Sequence, residues 1–434
     1  MTRSAKVLFS IWLLFLLSVT VFSAKKIDVW LVQSNEEMKI IRDLTSDFTK
    51  KTGIEVIYTY VNSADSETVF LMAAASNTPY DVGSVGLLFA PELGLRGGVR
   101  DLGSFADFNK VAARFHPKYF NSLQYLNLTF GIPYRSYIYL GYQRTDILNE
   151  MGIDPLRTWE ELKKVLPRLQ AKKKNAALTF GLGEAVYADV NMFMWQHGGE
   201  DYNSDLTQSG YDSFEAIAGF KEFVELYTKH GLAKEVVAFQ AFFHGDIPIL
   251  LQSGHFCSTL ELSAPQIAGH WQMTPALGTM KSGKLKFDTF IGGLALTISK
   301  DSKDPASAWE YIKWITSNQT QAEISKRFLE QIKGTVFIPA NLDAISQMSL
   351  KEENTKTLKL QAEGSRSSTY GLVAPRLRRR YLQFAAQEAV LMGKDPEEAM
   401  RKAALEHNEE INKKNKEYKR FIEKLLAEAK KKHN

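Results

Sequence analysis

The chain is predicted to be an α/β protein, and three stretches carry that prediction. Residues 27–32 (IDVWLV) form an apolar run of strand length. Residues 54–60 (IEVIYTY) are rich in β-branched and aromatic side chains. Between them lies an amphipathic stretch of helix length. Strand, helix and strand of these lengths make a βαβ unit, and a parallel sheet follows from it.

The elements can be justified in order. After the first strand, a loop at residues 33–35 leads into a helix that runs through Lys51. Ile40, Ile41, Leu44 and Phe48 give this helix one apolar face. Gly53 ends it, because glycine takes the left-handed conformation of a helix C-terminus without strain. A helix over 68–76 and a third strand over 80–85 follow. Ligands of open α/β sheets sit beyond the carboxyl ends of strands. Here those ends are Gln33-Ser34-Asn35, Asn62-Ser63 and Gly83-Ser84, all short polar side chains. After residue 130 the pattern changes, and residues 131–144 (GIPYRSYIYLGYQR) read as an extended, tyrosine-rich segment. Thr158-Trp159-Glu160-Glu161 is a capping box before a helix over 162–172. Asp304-Pro305 and Asp395-Pro396 each place a capping aspartate before a proline at the first helical position. Trp30, Trp309 and Trp314 have strand or helix spacing and belong to the core. No internal repeat is present.

The composition bounds the function. Of 434 residues, 44% are hydrophobic and 24% charged. That balance excludes a disordered chain, a collagen-like fibre and a polytopic membrane protein. The length corresponds to roughly two or three domains. A single cysteine, Cys257, excludes an intramolecular disulfide framework and a multi-cysteine zinc site. Arg3 and Lys6, an uncharged apolar run over 7–22, and small Ser23 and Ala24 have the order of a secretory signal. Cleavage is expected before Ala24, so residues 1–23 are read as a signal peptide and the mature chain as exported and periplasmic. No cysteine lies there to carry a lipid anchor. Residues 400–434 hold eleven Lys/Arg against six Glu, and the rest of the mature chain is about neutral. A charged terminal helix of this kind is a solvated face, so no nucleic-acid partner is expected. Tyr418, Phe421, Leu425 and Leu426 fall at helical spacing and leave one of its faces able to pack.

Catalytic patterns are missing. The eight histidines form no His-Glu-x-x-His or other short ligand pair, so no metal is expected. There is no Gly-x-Ser-x-Gly elbow and no phosphate-binding loop. Cys257, beside Phe256 and a strand-like ILLQ run, reads as a small buried residue. No pair of carboxylates is singled out for sugar hydrolysis.

Several phrases then combine. They are Phe48-x-x-x-Thr52-Gly53-Ile54-x-Val56; Ala73-Ala-Ala-Ser-Asn-x-Pro79-x-Asp81-Val82; and Gly131-Ile-Pro133-Tyr134. Further on stand Tyr142-x-x-x-Asp146 and Pro155-x-x-Thr158-Trp159-Glu160-Glu161-Leu162, and later Trp195-x-x-Gly198-Gly199, Gly292-Gly293 and Ala308-Trp309-x-x-Ile312-Lys313-Trp314. In order and spacing over residues 27–410 the chain resembles the extracellular solute-binding proteins of ABC importers, in the carbohydrate-binding group that includes maltose-binding protein. Two departures stand out. Phe256 follows Ser253-Gly254-His255 where the family often has Gly-Ser-Trp, and Arg135 stands where many sugar binders have a neutral residue.

The resemblance implies a two-lobed α/β fold of the type II periplasmic-binding-protein kind, with a hinge of three crossings near residues 136, 293 and 337. Lobe one would hold 24–136 and 294–337, and lobe two 137–293 and 338–434 with a long C-terminal helix. It implies a monomer without catalysis or cofactor. Such a protein closes over a carbohydrate, an oligosaccharide for preference, and delivers it to a membrane permease. Aromatic rings suit sugar ring faces, and polar groups suit the hydroxyl rim. Trp195 is the first candidate platform, before Gly198-Gly199, with Tyr134, Phe256 and Tyr370 as further aromatic candidates. Glu261, Ser34, Asn35, Asn62 and Ser84 would bond hydroxyls, and Gly292 and Gly293 would allow backbone approach or serve the hinge. Arg135 pairs well with carboxylates and keeps open an acidic sugar or a short peptide as ligand. An extracellular glycosidase, and a sensor that presents its ligand to a receptor, remain as further alternatives.

Overall fold

The structure, a computed structural model, describes residues 25–76 and 80–433, with side chains as far as Glu423. The expected signal peptide and the side chains of Leu425 and Leu426 lie outside the described residues. So does Pro79 of the second family phrase.

Strand β1 (Lys25–Leu31), helix α1 (Asn35–Thr52) and strand β2 (Ile54–Tyr60) form the expected βαβ unit. The two strands pair in parallel over their whole length, from Lys25 opposite Ile54 to Leu31 opposite Tyr60. Local chemistry sets the ends of α1. Ser34 Oγ accepts from Glu37 N, and Ser34 N donates to Glu37 Oε2 at 2.8 Å, closing a capping box. Gly53 stops the helix at φ 72°. Met38, Ile40, Ile41 and Phe48 are its buried face. Helix α2 (Ser66–Ser76) and strand β3 (Val82–Gly86) follow, and β3 joins β1 in parallel.

Beyond β3 the sheet changes sense. Strand β4 (Ile132–Gln143) is long and carries the tyrosine-rich segment. Three strands, β5 (Ala176–Ala177), β6 (Ile249–Ser253) and β7 (Gln272–Thr274), cluster at its far end. Strand β8 (Ile291–Ile298) returns beside it. The order across the eight-stranded sheet is β2-β1-β3-β8-β4-β6-β5, with β7 also on β4. Strand β8 is antiparallel to both β3 and β4, and β4 is antiparallel to β6 and β7. The sheet is therefore mixed, not parallel throughout. A chain that leaves one lobe along β4 and returns along β8 must run the two strands in opposite directions.

Helices cover both ends. At the β1–β3 end, α1 packs with two later helices. Trp314 lies 5.0 Å from the Phe48 ring, and Trp309 stacks on Phe105 at 4.6 Å. At the other end, helices α3 (Val186–His197) and α4 (Phe214–Thr228) build a second core with α5 (Pro375–Leu391) and α6 (Pro396–His433). Trp159 follows the capping threonine Thr158, as expected, and donates to Gln196 Oε1 at 2.7 Å inside this core. Small residues let α5 and α6 pack closely: Ala385, Ala386 and Ala389 on one, Ala399, Ala403 and Ala404 on the other.

The three expected crossing points lie side by side. Ser136 of β4 is opposite Gly293 of β8, and Ser136 N donates to Ile338 O at 2.9 Å. Helix α6 also connects the two ends. Its first half is buried in the second core through Met400 and Ile411. Farther along, Tyr418, Phe421 and Ile422 pack against the β1–β3 core. The Phe421 ring stands 3.5 Å from where a Cβ on Gly97 would sit. The end of the segment 338–434, read from the sequence as lobe two, thus rests on lobe one. Among the described residues no helix is long and apolar enough to cross a membrane.

Candidate ligand cleft

A cavity of about 230 Å³ opens beside the crossing strands β4 and β8. Lobe one contributes the loop after β3, with Leu87, Leu88 and Phe89, and Glu67 from the start of α2. Its floor is Tyr137 and Tyr139 of β4 with Gly292 and Gly293 of β8. Lobe two contributes Tyr187 from the first turn of α3, Phe290, Ser367 and Ser368, and Pro375 and Arg379 from α5. A separate void of about 20 Å³ near Trp159 is lined almost wholly by apolar side chains and is a packing gap.

The floor requires glycine. Gly293 has φ 147°, and a Cβ there would stand 2.1 Å from Arg135 O. Only a residue without a side chain lets β8 approach β4 this closely.

The aromatic wall is held in a chain of contacts. Phe290 stacks on Trp195 with centroids 6.4 Å apart and planes at 12°, and meets Tyr187 edge-on at 5.8 Å. The Arg366 guanidinium lies over the Trp195 ring at 5.0 Å, and two hydrogen bonds of 2.7 and 2.5 Å tie it to Glu200. Arg379 lies 4.8 Å over Tyr187. The rings are thus fixed in orientation before any ligand arrives, which lowers the entropy lost on binding. The segment bearing Ser367 and Ser368 is pinned as well. Ser367 Oγ donates to Lys118 O at 2.9 Å, Asn191 Nδ2 donates to Ser368 Oγ at 3.3 Å, and Thr369 N donates to buried Asp201 at 3.2 Å. Arg378 stands 3.7 Å from the same Asp201.

The residues singled out from the sequence fall in different places. Gly292 and Gly293 line the cavity. Trp195 is one layer behind it, backing Phe290, and its indole N–H is buried without a hydrogen-bond partner. Tyr370 is buried against Tyr125, 5.8 Å away, two residues past the serines of the wall. Tyr134 is fully buried at the crossing, edge-on to Phe337. Arg135 is taken up by an ion pair: its Nη1 donates to Glu37 Oε1 at 2.8 Å and its Nη2 to Val336 O at 3.2 Å. Phe256 packs in the core with Tyr142 and Phe242. Glu261 is exposed on its helix, 3.9 Å from Lys351. Ser34 and Asn35 begin α1, where the Ser34 hydroxyl serves the cap. Asn62 caps a short 3-10 turn through Ala64 N at 3.0 Å. Ser84 is buried and accepts from Val32 N at 2.6 Å, fastening β3 to the end of β1. None of the three strand ends named from the sequence lines the cavity: Gly83 and Ser84 lie inside β3, which runs on to Gly86, and it is Gly86 to Phe89 that reach it.

The cavity residues missed from the sequence had partial signals. Tyr137 and Tyr139 lie in the tyrosine-rich segment, Phe290 directly precedes Ile291-Gly292-Gly293, and Ser367-Ser368 precede Tyr370. Tyr187 and Arg379 sit on helices whose local pattern reveals only that they are helices.

Two lobes on one sheet, two adjacent crossing strands with a third crossing segment bridged to β4, and a cavity walled from both sides define a two-lobed binding protein. The family model for bacterial extracellular solute-binding proteins matches residues 33–322, and the chain belongs to that family. No curated protein sequence matches significantly. Solved structures share the fold. The sugar-binding protein MalE of Xanthomonas citri is 18% identical, with a TM-score of 0.77 over 91% of this chain and 99% of that one. The cyclic α-maltosyl-1,6-maltose-binding protein of Arthrobacter globiformis is 15% identical, with a TM-score of 0.75 over 89% and 98%. An ABC transporter solute-binding protein of Thermotoga lettingae, bound with α-D-tagatose, is 17% identical, with a TM-score of 0.67 over 89% and 100%.

Proposed function

We propose that this protein captures a saccharide outside the cytoplasm in the cavity between its lobes and hands it to the permease of an ABC importer. The single observation that carries the reading is the cavity itself: fixed aromatic faces on one wall, hydroxyls and backbone at its rim and floor, and a position beside the adjacent crossings that join the lobes. Apolar ring faces of a sugar match Phe290 and Tyr187, while Ser367, Ser368 and the tyrosine hydroxyls match its hydroxyl groups. The three adjacent crossings at residues 136, 293 and 338 serve as the hinge. Closure around them removes water from the cavity and strengthens each polar contact. Ligand then favours the closed form, whose surface the permease reads. The solved structures of this fold that carry tagatose, or are named as binding a sugar or a cyclic maltosyl-maltose, support the ligand class. Residues 1–23 direct export and are removed, and the mature protein acts as a monomer without catalysis.

A thermal-shift panel of mono- and oligosaccharides, polyols and short peptides tests this. A ligand that binds only the folded state adds about 2.7 kcal/mol of stability at a hundredfold excess over its Kd. The reading expects a shift with one saccharide class. Shifts with peptides alone would contradict it.

A further inference from the structure

We infer that the saccharide taken by this cleft carries an oxyanion group, and that Arg379 is the residue that selects it. The inference rests on the cleft being the ligand site.

The first turns of α5 hold four arginines: Arg376, Arg378, Arg379 and Arg380. That arrangement opposes the helix dipole, whose N-terminal end favours negative charge. Ala374 supplies no side-chain cap, and Pro375, the first helical residue, lines the cavity. Three of the four are accounted for elsewhere. Arg376 and Arg380 are exposed to solvent, and Arg378 is buried beside Asp201. A further guanidinium beside the wall, that of Arg366, is neutralised by Glu200.

Arg379 differs from all of these in lining the cavity. Among the described residues it has no carboxylate partner. Its guanidinium is held over the Tyr187 ring, and its Nε is buried with no hydrogen-bond partner. A guanidinium fixed by stacking, partly desolvated and unpaired, matches a carboxylate or phosphate with two parallel donors. The lobe-two wall offers nothing that repels such a group. Asp201 is already engaged by Arg378 and Thr369 N. The one carboxylate lining the cavity, Glu67, is exposed and belongs to lobe one. The ligand is therefore oriented with its anionic end toward α5.

The test uses the purified protein with glucuronate, galacturonate, mannuronate and their dimers, each against its uncharged methyl ester. Hexose 6-phosphates are added to separate carboxylate from phosphate, together with the parent neutral sugars. Thermal shift finds binders and calorimetry gives affinities. At least one charged sugar is expected to bind about tenfold or more tighter than its uncharged counterpart, with a preference that weakens as salt rises. Arg379→Gln should abolish that preference, and Arg379→Lys, which keeps charge without the fork, should restore part of it. Equal or better binding of esters or neutral sugars would overturn the inference while leaving the cleft reading intact. A charge preference that survives Arg379→Gln would overturn the role of Arg379. Silence from every saccharide would defeat the cleft reading and this inference with it.

Discussion

Arg135 and Glu37 are the pair on which the crossing region is fastened. Both side chains are about nine-tenths buried, 2.8 Å apart, and they join β4 to the start of α1. Removing one partner leaves the other charge buried and unpaired, which costs about 3–5 kcal/mol. We expect that loss in urea unfolding of Arg135→Ala or of Glu37→Ala, and a smaller loss when both are replaced together by apolar residues. His407 makes a second prediction. It is fully buried among Tyr202, Tyr211 and Tyr381, and its Nδ1 lies 3.0 Å from Ser209 Oγ. Burial, with Arg378 nearby, pushes its pKa down to about 2. The unfolded chain takes up this proton near pH 6.5 and the folded protein does not. Stability from His407 is therefore full above that pH and falls by about 1.4 kcal/mol per pH unit as pH drops toward 2. Unfolding of His407→Gln followed between pH 7 and 4 should show a decline shallower by that slope. A third prediction concerns the cleft. Phe290→Ala should weaken ligand binding by about 1–3 kcal/mol in calorimetry while leaving the fold intact, the range for a lost aromatic contact. Such couplings were hidden in the sequence because they are not local. Glu37 and Arg135 are 98 residues apart, and an arginine in a strand reads equally well as a ligand contact or as a partner for a distant acid.

At the scale of elements, legibility followed the range of the interactions. The end of helix α1 was readable at Gly53 because a left-handed glycine is local chemistry, whereas its start at the Ser34–Glu37 capping box was not, since a run of short polar residues reads equally well as a ligand loop. The βαβ unit was also readable from local chemistry. The antiparallel β4–β8 pair was not, since nothing within either strand states which neighbour it will find. Helix α6 is the most informative element in this respect. Its 38 residues reach about 57 Å at the helical rise. That length carries it from the second core to Gly97 on lobe one. Of the expected apolar face, Tyr418 and Phe421 are used, together with Ile422, as a tether between the lobes. A chain shortened after Ile411 loses those contacts. We expect its melting temperature to fall by the equivalent of about 1–3 kcal/mol, with ligand association becoming faster because the lobes separate more readily. Unchanged stability and association rate would show that the tether contributes nothing.

For the whole molecule, fold and family were legible because the phrases that carry them run through most of the chain in order. The site was legible only in outline. A cleft is assembled from seven separated segments, and the residues that line it are chosen by where the lobes meet. Gly292 and Gly293 were found because a glycine pair signals close approach, whereas Tyr187 and Arg379 became visible only with α3 and α5 in place.

The central claim is that a saccharide closes the two lobes on the cavity. It can be tested with fluorescent labels at Lys51→Cys on lobe one and Lys164→Cys on lobe two, both exposed positions. The native Cys257 is buried, and its thiol is pushed up to about 12 by that burial, so it does not compete for label. Energy transfer between the labels is titrated with the saccharide that gives the largest thermal shift. The expected result is a saturable change in inter-lobe distance with the same dissociation constant as calorimetry, lost in parallel with binding in Phe290→Ala. Tight saccharide binding with no change in distance, or a change that Phe290→Ala leaves untouched, would contradict it.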